Sequence, residues 1–274
     1  MINKICLLKI INNQKRFNLL NFSNSSWHRV DYKDLTVFFH AEQLPKKDNP
    51  SHRHCDLTSF VLYWKGQPIL IDTGRFNYII DDSLGNYGVS ARAHKSLTIN
   101  TLEPQAGVNT TRLPGFYRSS KVNTRNNNDN DEFKFELEHN GFRRLFGDAI
   151  MHTRAFSISD GIFTMEDRID GKKNHHIDTY FHWSPEIKVI KNEDNSSFFI
   201  ESSDNQRFKG LFSYNHMQKN DRILKQDLVK TRINANGTGW YSPIYGLKQK
   251  TTTLNFFQEV KLPVINRYSL EWEV

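Results

Sequence analysis

The chain has 274 residues, a formal net charge of +7, and 37% hydrophobic and 13% aromatic residues. This length can bury the core of one all-β domain, and the aromatic content excludes a disordered chain, since disordered segments are poor in aromatic residues. The positive charge favours polyanionic partners such as acidic polysaccharide, nucleic acid or anionic lipid. We expect no nucleic-acid partner, because the Lys and Arg residues are scattered. The alternative is that the charge serves solubility alone.

Residues 1–26 are rich in Asn and Lys, and we predict that they form a tail or the remnant of an upstream domain. This segment is weakly apolar only near its start, where Lys9 interrupts the run and no small-residue cleavage site follows. No stretch of the chain has the length and hydropathy of a transmembrane segment. The two cysteines, Cys6 and Cys55, are too few for a disulfide framework.

Residues 27–274 consist of short runs rich in β-branched and aromatic residues, bounded by Gly, Asn, Asp or Pro. Such runs are typical of an antiparallel sandwich, and we find no amphipathic helix longer than three turns. We therefore predict an all-β fold, a large antiparallel β-sandwich of the supersandwich type with few or no helices. Residues 126–131 are predicted to be a polar loop. The clearest predicted strands are 35–39, 60–64, 96–99, 133–137, 155–158, 162–165, 177–181, 187–190, 197–200 and 252–257.

Residues 52–94 contain the possible ligands of a metal ion. His52 and His54 project from the same face of an extended segment, because side chains alternate with period two. Asp72 follows the apolar run 69–71, and His94 lies further along. Zinc accepts nitrogen and oxygen ligands of this kind, with a fourth position open to water or substrate. The alternative is a surface pair of histidines and an ordinary turn aspartate.

The spacing alone does not bring these ligands together. If residues 60–64 and 69–72 form a hairpin about Gly66 and Gln67, Asp72 pairs near Val61. His54 then lies roughly 23 Å away at the rise of an extended strand. A shared metal therefore requires residues 52–58 to fold back, or another strand to bring the ligands together.

The order of these motifs resembles the C-terminal domain of heparinase II/III-like polysaccharide lyases. The likeness covers about residues 27–270. Its motifs are His54-Cys55-Asp56, Ser59-Phe60, Gly66, Asp72-Thr73-Gly74, Tyr78 and Ala93-His94, with looser matches over 178–185 and 240–246.

The resemblance implies a structural zinc held by His54, Asp72 and His94. It also places His52 at a catalytic cleft and makes Asp56 a partner that fixes a histidine tautomer. Lys95 departs from the family's usual asparagine.

The resemblance further implies β-elimination on a uronic-acid-containing polysaccharide. This reaction needs a carboxylate neutraliser, a base and usually a tyrosine acid. His52 and Tyr78 are candidate catalytic residues, and Arg92 is a candidate substrate-binding residue. The family supplies most of this machinery from a helical α/α toroid, so we expect this chain to need such a domain or subunit. The resemblance implies a periplasmic or secreted location.

Two alternatives to a lyase domain remain open. One is a non-catalytic carbohydrate-binding or scaffold protein, and the other is an unrelated basic β-sandwich. Hydrolysis by paired carboxylates is disfavoured, because the acidic residues stand in no distinctive motif.

Overall fold

The computed structural model of this chain is dominated by antiparallel sheets. It describes residues 17–22, 24–41, 54–79, 82–104, 122–128, 132–142, 148–193, 197–203, 208–218, 230–234 and 237–272. None of the helices in these ranges is long and apolar enough to cross a membrane.

The first sheet has five strands in chain order. Its β4–β5 turn contains Lys65 (φ 49°) and Gly66 (φ 77°), a pair of positive φ angles typical of a two-residue hairpin. The hairpin considered above is present, but its turn lies at Lys65 and Gly66 rather than at Gly66 and Gln67, and β5 ends at Leu70, before Asp72. The strands are β1 (Asn18–Phe22), β2 (Trp27–Tyr32), β3 (Leu35–His40), β4 (Phe60–Trp64) and β5 (Gln67–Leu70).

The second sheet has eight strands in the order β12-β13-β14-β19-β10-β9-β8-β7. Along β9, buried side chains alternate strictly with more exposed ones, as expected for a strand with one face on a core. The strands are β7 (Val122–Asn128), β8 (Phe133–His139), β9 (Met151–Ser159), β10 (Ile162–Asp170), β12 (Ile187–Lys191), β13 (Ser197–Ser202), β14 (Lys209–Gln218) and β19 (Val264–Trp272).

Two smaller sheets and one short helix complete the described fold. The four-stranded sheet has the order β15-β18-β11-β6, and β16 pairs with β17. A single 3-10 turn at Ala91–Ala93 follows the helix. The elements are α1 (Ser83–Val89), β6 (Leu97–Ile99), β11 (Asn174–His182), β15 (Lys230–Ile233), β16 (Trp240–Tyr241), β17 (Gln249–Lys250) and β18 (Thr253–Lys261).

Phe60 lies where the three larger sheets meet. Its ring centroid is 5.3 Å from that of Phe156 and 5.4 Å from that of Phe163, both on the second sheet. It is also 6.5 Å from that of Phe181 on the four-stranded sheet. Aromatic pairs at such distances contribute about 0.5–1.5 kcal/mol beyond their buried area. This junction anchors the segment just before Phe60, which carries His54.

The all-β sandwich is confirmed, and each run named above as a predicted strand overlaps an observed strand. The predicted polar loop is wrong at its start, because residues 126–128 pair with β8 as part of β7, and its remainder, residues 129–131, lies outside the described residues. The proposed boundary at Trp27 falls inside the first sheet, since Phe17 stacks on Tyr32 at 4.6 Å and β1 pairs with β2. β1 is largely exposed and lacks the apolar alternation that would have revealed it.

Candidate functional site

Three loop segments bring together the residues predicted to bind a metal. One ligand atom from each of His54, Asp72 and His94 lies within 4.8 Å of the other two. His94 Nδ1 is 2.5 Å from Asp72 Oδ2, and the ring centroids of His54 and His94 are 5.0 Å apart. His94 is buried, whereas His54 and Asp72 are partly exposed. The cluster therefore has one face open toward solvent.

Asp72 is held in one orientation by the chain around it. The Ile71 N–H donates to the His182 carbonyl at 2.9 Å, which carries the chain from β5 toward β11. The Gly74 N–H donates to Asp72 Oδ1 at 2.9 Å and leaves Oδ2 directed at His94. Gly74 has φ +74°, and a Cβ there would collide with the Ser242 carbonyl. Glycine is therefore required at this turn.

The segment carrying His54 folds back against the helix, as a shared metal site requires. The Cys55 N–H donates to the Val89 carbonyl at 2.8 Å. The Cys55 thiol donates to one oxygen of Glu103, while the other oxygen accepts from the Ala91 N–H at 2.8 Å. Glu103 thus joins the His54 segment to the 3-10 turn that precedes His94.

Arg154 connects the segments that carry His54 and His94 from the core side. Its guanidinium donates to the Thr58 carbonyl at 3.0 Å and to the Lys95 carbonyl. It also forms a two-bond ion pair with Asp167, at 2.6 and 2.7 Å. Both side chains are fully buried. Sequence reasoning missed this pair, although charged residues at inward positions of alternating strands could have revealed it.

Two histidines extend this buried network. The Gly141 N–H donates to His139 Nδ1 at 3.1 Å, so His139 carries its proton on Nε2. His139 Nε2 lies 2.8 Å from His152 Nδ1, and His152 Nε2 lies 2.8 Å from Asp167 Oδ1. All these hydrogen bonds form when both rings are neutral and protonated on Nε2, so that His139 donates to His152 and His152 donates to Asp167. Burial lowers the pKa of both histidines, in agreement with neutral rings.

We predict that stability falls on mild acidification. A histidine whose folded pKa is depressed stabilises the fold above its unfolded pKa of about 6.5 and loses that contribution below it, by up to about 1.4 kcal/mol per pH unit. His139, His152 and His182 are of this kind, and burial lowers the pKa of His182 to about 3. Burial alone would lower the pKa of His94 too, but Asp72 raises it, so His94 contributes with the opposite sign. Three histidines with a lowered pKa outweigh this one. Thermal melts in chelator should give a lower Tm at about pH 5 than at about pH 7.5. An equal or higher Tm at the acidic pH would contradict this.

Two of the proposed ligands, His54 and Asp72, have the charge states that a metal needs. Burial lowers the pKa of His54 to about 4, so its ring is neutral near pH 7. Burial alone would raise the pKa of Asp72, but His94 holds it well below its usual range. Burial alone would lower the pKa of His94, but Asp72 raises it, so a metal would displace a proton from this ring on binding. His94 Nε2 is buried and has no hydrogen-bond partner among the described residues. Two imidazoles and one carboxylate form a ligand set that zinc accepts, so the residues fit this ion.

The structure places the other predicted site residues as follows. His52 lies outside the described residues. Asp56 Oδ2 pairs with His40 Nδ1 at 3.2 Å, and His40 is not one of the proposed ligands. Tyr78 is exposed beside Tyr245.

Arg92 and Lys95 are the two cations nearest His94 in the sequence. Arg92 lies in the 3-10 turn, where its charge opposes the rise that burial causes in the pKa of Tyr87 and Tyr180. Lys95 is buried, donates to the Ile71 carbonyl, and has a pKa that burial lowers to about 7. A partly neutral lysine reduces the repulsion toward a bound dication.

The fold and the cluster define an all-β sandwich protein with a candidate histidine–aspartate metal site. The family described as Heparinase II/III-like, C-terminal, matches residues 14–267, and the chain belongs to this family. The resemblance that the motifs suggested is confirmed. No curated protein sequence matches this chain significantly.

Solved structures of heparinases share the fold. A heparan sulfate lyase mutant from Pedobacter heparinus matches with a TM-score of 0.69 and 14% identity, covering 93% of this chain and 36% of that one. A crystal structure of Heparinase III matches with a TM-score of 0.68 and 13% identity, covering 92% and 36%. The chain therefore spans about a third of the length of these proteins.

Proposed function

We propose that this chain is the β-sandwich part of a lyase that cleaves uronic-acid-containing polysaccharide by β-elimination. The observation that carries the proposal is the meeting of His54, Asp72 and His94 within a domain of this family. The similar structures include one named as a heparan sulfate lyase. The basic charge of the chain suits an acidic polymer.

In this proposal His54, Asp72 and His94 hold a structural zinc. The ion supplies a fixed positive charge that joins three loops, each from a different part of the chain. Metal binding of this kind adds its free energy to that of folding. The zinc is proposed to hold the wall of the cleft in place. His52, which precedes His54 by two residues in the sequence, is proposed to act at that cleft.

β-Elimination removes the proton on C5 of the uronate and expels the sugar linked at C4. Arg92 is proposed to bind the substrate, and His52 and Tyr78 are the candidate catalytic residues on this chain. A complete set of neutraliser, base and acid is not present among the described residues. A helical toroid, as a domain or a subunit, is proposed to supply the rest.

We predict that the purified chain alone turns over little or no substrate. The reason is that a missing general acid or base lowers the rate by about 10²–10⁴-fold. The assay follows the ultraviolet absorbance of the unsaturated uronate product on heparan sulfate and on alginate, with and without a helical partner. Turnover by the chain alone would contradict the prediction. Absence of product with every helical partner would favour the second candidate, a non-catalytic carbohydrate-binding protein.

A further inference from the structure

Two loops beside the metal cluster form one surface. Residues 74–79 follow Asp72, and residues 242–248 connect β16 to β17. The Ser242 N–H donates to the Thr73 carbonyl at 2.8 Å, and the Ser242 hydroxyl donates to the Arg75 carbonyl at 3.1 Å. The Gly246 N–H donates to the Phe76 carbonyl at 3.2 Å. These bonds between the loops fix their relative position.

This surface exposes aromatic rings next to a cation. The rings of Tyr78 and Tyr245 stack with centroids 5.5 Å apart and planes at 28°. They are 51% and 61% exposed, and Ile79 and Ile244 beside them in the sequence are 66% and 69% exposed. The Arg75 guanidinium lies 4.3 Å from the Tyr78 ring centroid. We call Arg75, Tyr78 and Tyr245 the aromatic platform.

The platform is held in place by a buried anchor. Phe76 is buried between the exposed side chains of its loop and packs against Tyr87 of α1, with ring centroids 6.1 Å apart. Trp240 packs against the same small cluster. The loop therefore buries one aromatic residue and presents another. Large exposed apolar groups on such a fixed support are typical of a binding surface.

The platform lies close to the metal cluster. Arg75 is the third residue after the proposed ligand Asp72. The Ser242 N–H donates to the carbonyl of Thr73, the residue next to Asp72, at 2.8 Å. Both loops of the platform are therefore attached beside a proposed zinc ligand.

Arg75 has unused capacity to bind an anion. Its Nε is buried and has no hydrogen-bond partner within the described part of the chain, but the residue as a whole is only partly buried, so the terminal nitrogens are the donors that an anion would reach. No acidic group in that part forms an ion pair with it. A guanidinium matches a carboxylate or sulfate with two parallel hydrogen bonds, while a tyrosine ring covers the apolar C–H face of a sugar. An acidic sugar offers both features in one unit.

We infer that Arg75, Tyr78 and Tyr245 form a binding subsite for an acidic sugar of the polymer. Tyr245 contacts the sugar face, and Arg75 receives the carboxylate or sulfate. The Tyr78 ring stacks on Tyr245 and supports it, in addition to the catalytic role for which Tyr78 is a candidate. The inference rests on the proposed function. It gives Arg75 and Tyr245 a role in holding the polymer, separate from the chemistry proposed for His52.

The test compares binding of heparan sulfate and alginate by the whole chain and by two variants, Tyr245→Ala and Arg75→Gln. Loss of one stacking or charge contact should weaken binding about five- to tenfold. Binding should also weaken as salt screens the charges. Neutral dextran and double-stranded DNA serve as comparison polymers. Zinc content and Tm should stay unchanged in both variants, which separates loss of the subsite from loss of the fold.

Two control variants test whether the loss of any exposed ring or any stacked arginine weakens polymer binding. Phe199→Ala removes a ring of similar exposure on β13, and Arg232→Gln removes a guanidinium that lies 3.7 Å from the Phe257 ring centroid. Both should bind the uronate polymers like the unmodified chain. Equal binding by Tyr245→Ala and Arg75→Gln would overturn the subsite and leave the lyase proposal standing.

Three further outcomes are decisive. Equal or tighter binding of DNA, with the same response to both variants, would overturn the assignment to an acidic sugar. So would concentration-dependent self-association that Tyr245→Ala abolishes while polymer binding persists. Platform-dependent binding with no product, even with a helical partner, would overturn the lyase proposal alone.

Discussion

Replacing Asp72 with alanine should remove stoichiometric zinc from the protein and lower its thermal stability. Asp72 is the only carboxylate in the proposed ligand set, and two neutral imidazoles alone leave the dication without a counter-charge. At a free zinc concentration about 1,000 times Kd, binding stabilises the fold by about 4 kcal/mol. For a domain of this size, this corresponds to a change in Tm on the order of 10 °C. Elemental analysis and thermal melts with and without chelator measure both effects.

Two matched variants make this result specific. His52→Ala should retain zinc, because His52 is proposed to face the cleft rather than the metal. Asp170→Ala removes a partly exposed carboxylate that pairs with Arg168, and it should retain zinc as well. Equal metal loss in His52→Ala and Asp72→Ala would contradict the assignment of His52 to the cleft and would make it a metal ligand. Absence of zinc from the unmodified protein, purified without chelator, would remove the metal assignment altogether.

Replacing Arg154 with methionine should cost about 3–5 kcal/mol of unfolding free energy, because it leaves the Asp167 charge buried with the neutral His152 but without a cationic partner. The two carbonyl groups of Thr58 and Lys95 also lose their donor. The change should therefore loosen both loops that carry the histidine ligands. Urea denaturation measures the free energy, and the affinity for zinc measures the effect on the loops.

The control is the neighbouring arginine on β10. Arg168 pairs with Asp170 on the more exposed face, and Arg168→Met should change stability by less than about 1 kcal/mol. The double variant Arg154→Met with Asp167→Leu removes both charges and should recover much of the lost stability. It should not recover zinc affinity, because the carbonyl acceptors still lack a donor. Recovery of both quantities would show that Arg154 serves the core alone.

The alternation of residues predicted most of the sandwich, and its failures have physical causes. The run 155–158 was recognised as a strand, but β9 extends back to Met151 through Arg154 and His152, which are buried and polar. A polar side chain at an inward position looks like an outward one in the sequence. The Asn-rich part of β7 resembles a loop, because asparagine favours turns. Its place in the sheet depends on pairing with β8.

The order of motifs and the family resemblance predict the proposed ligands. Their proximity depends on contacts between distant segments, which the sequence pattern does not predict. The hydrogen bond from Cys55 to Val89 and the bridge through Glu103 fold the first ligand segment back. Of the aromatic platform, only Tyr78 is a predicted site residue, and it is predicted as a catalytic group rather than as part of a binding surface. Exposure of Tyr78 depends on burial of Phe76 against Tyr87, which is a property of the folded chain.

The position of Phe60 has a consequence for how the molecule comes apart. Its ring touches aromatic residues of two other sheets, so no sheet can separate without disrupting the packing of the rest. Packing of this kind makes unfolding cooperative, because a single β-hairpin is not stable once it is separated from the other sheets. Because Phe60 directly follows the segment of His54, the loops of the proposed metal site have no smaller folded unit in which to persist. Release of the proposed zinc and unfolding of the core should therefore belong to the same thermodynamic transition, and contacts between distant parts of the chain should make refolding slow.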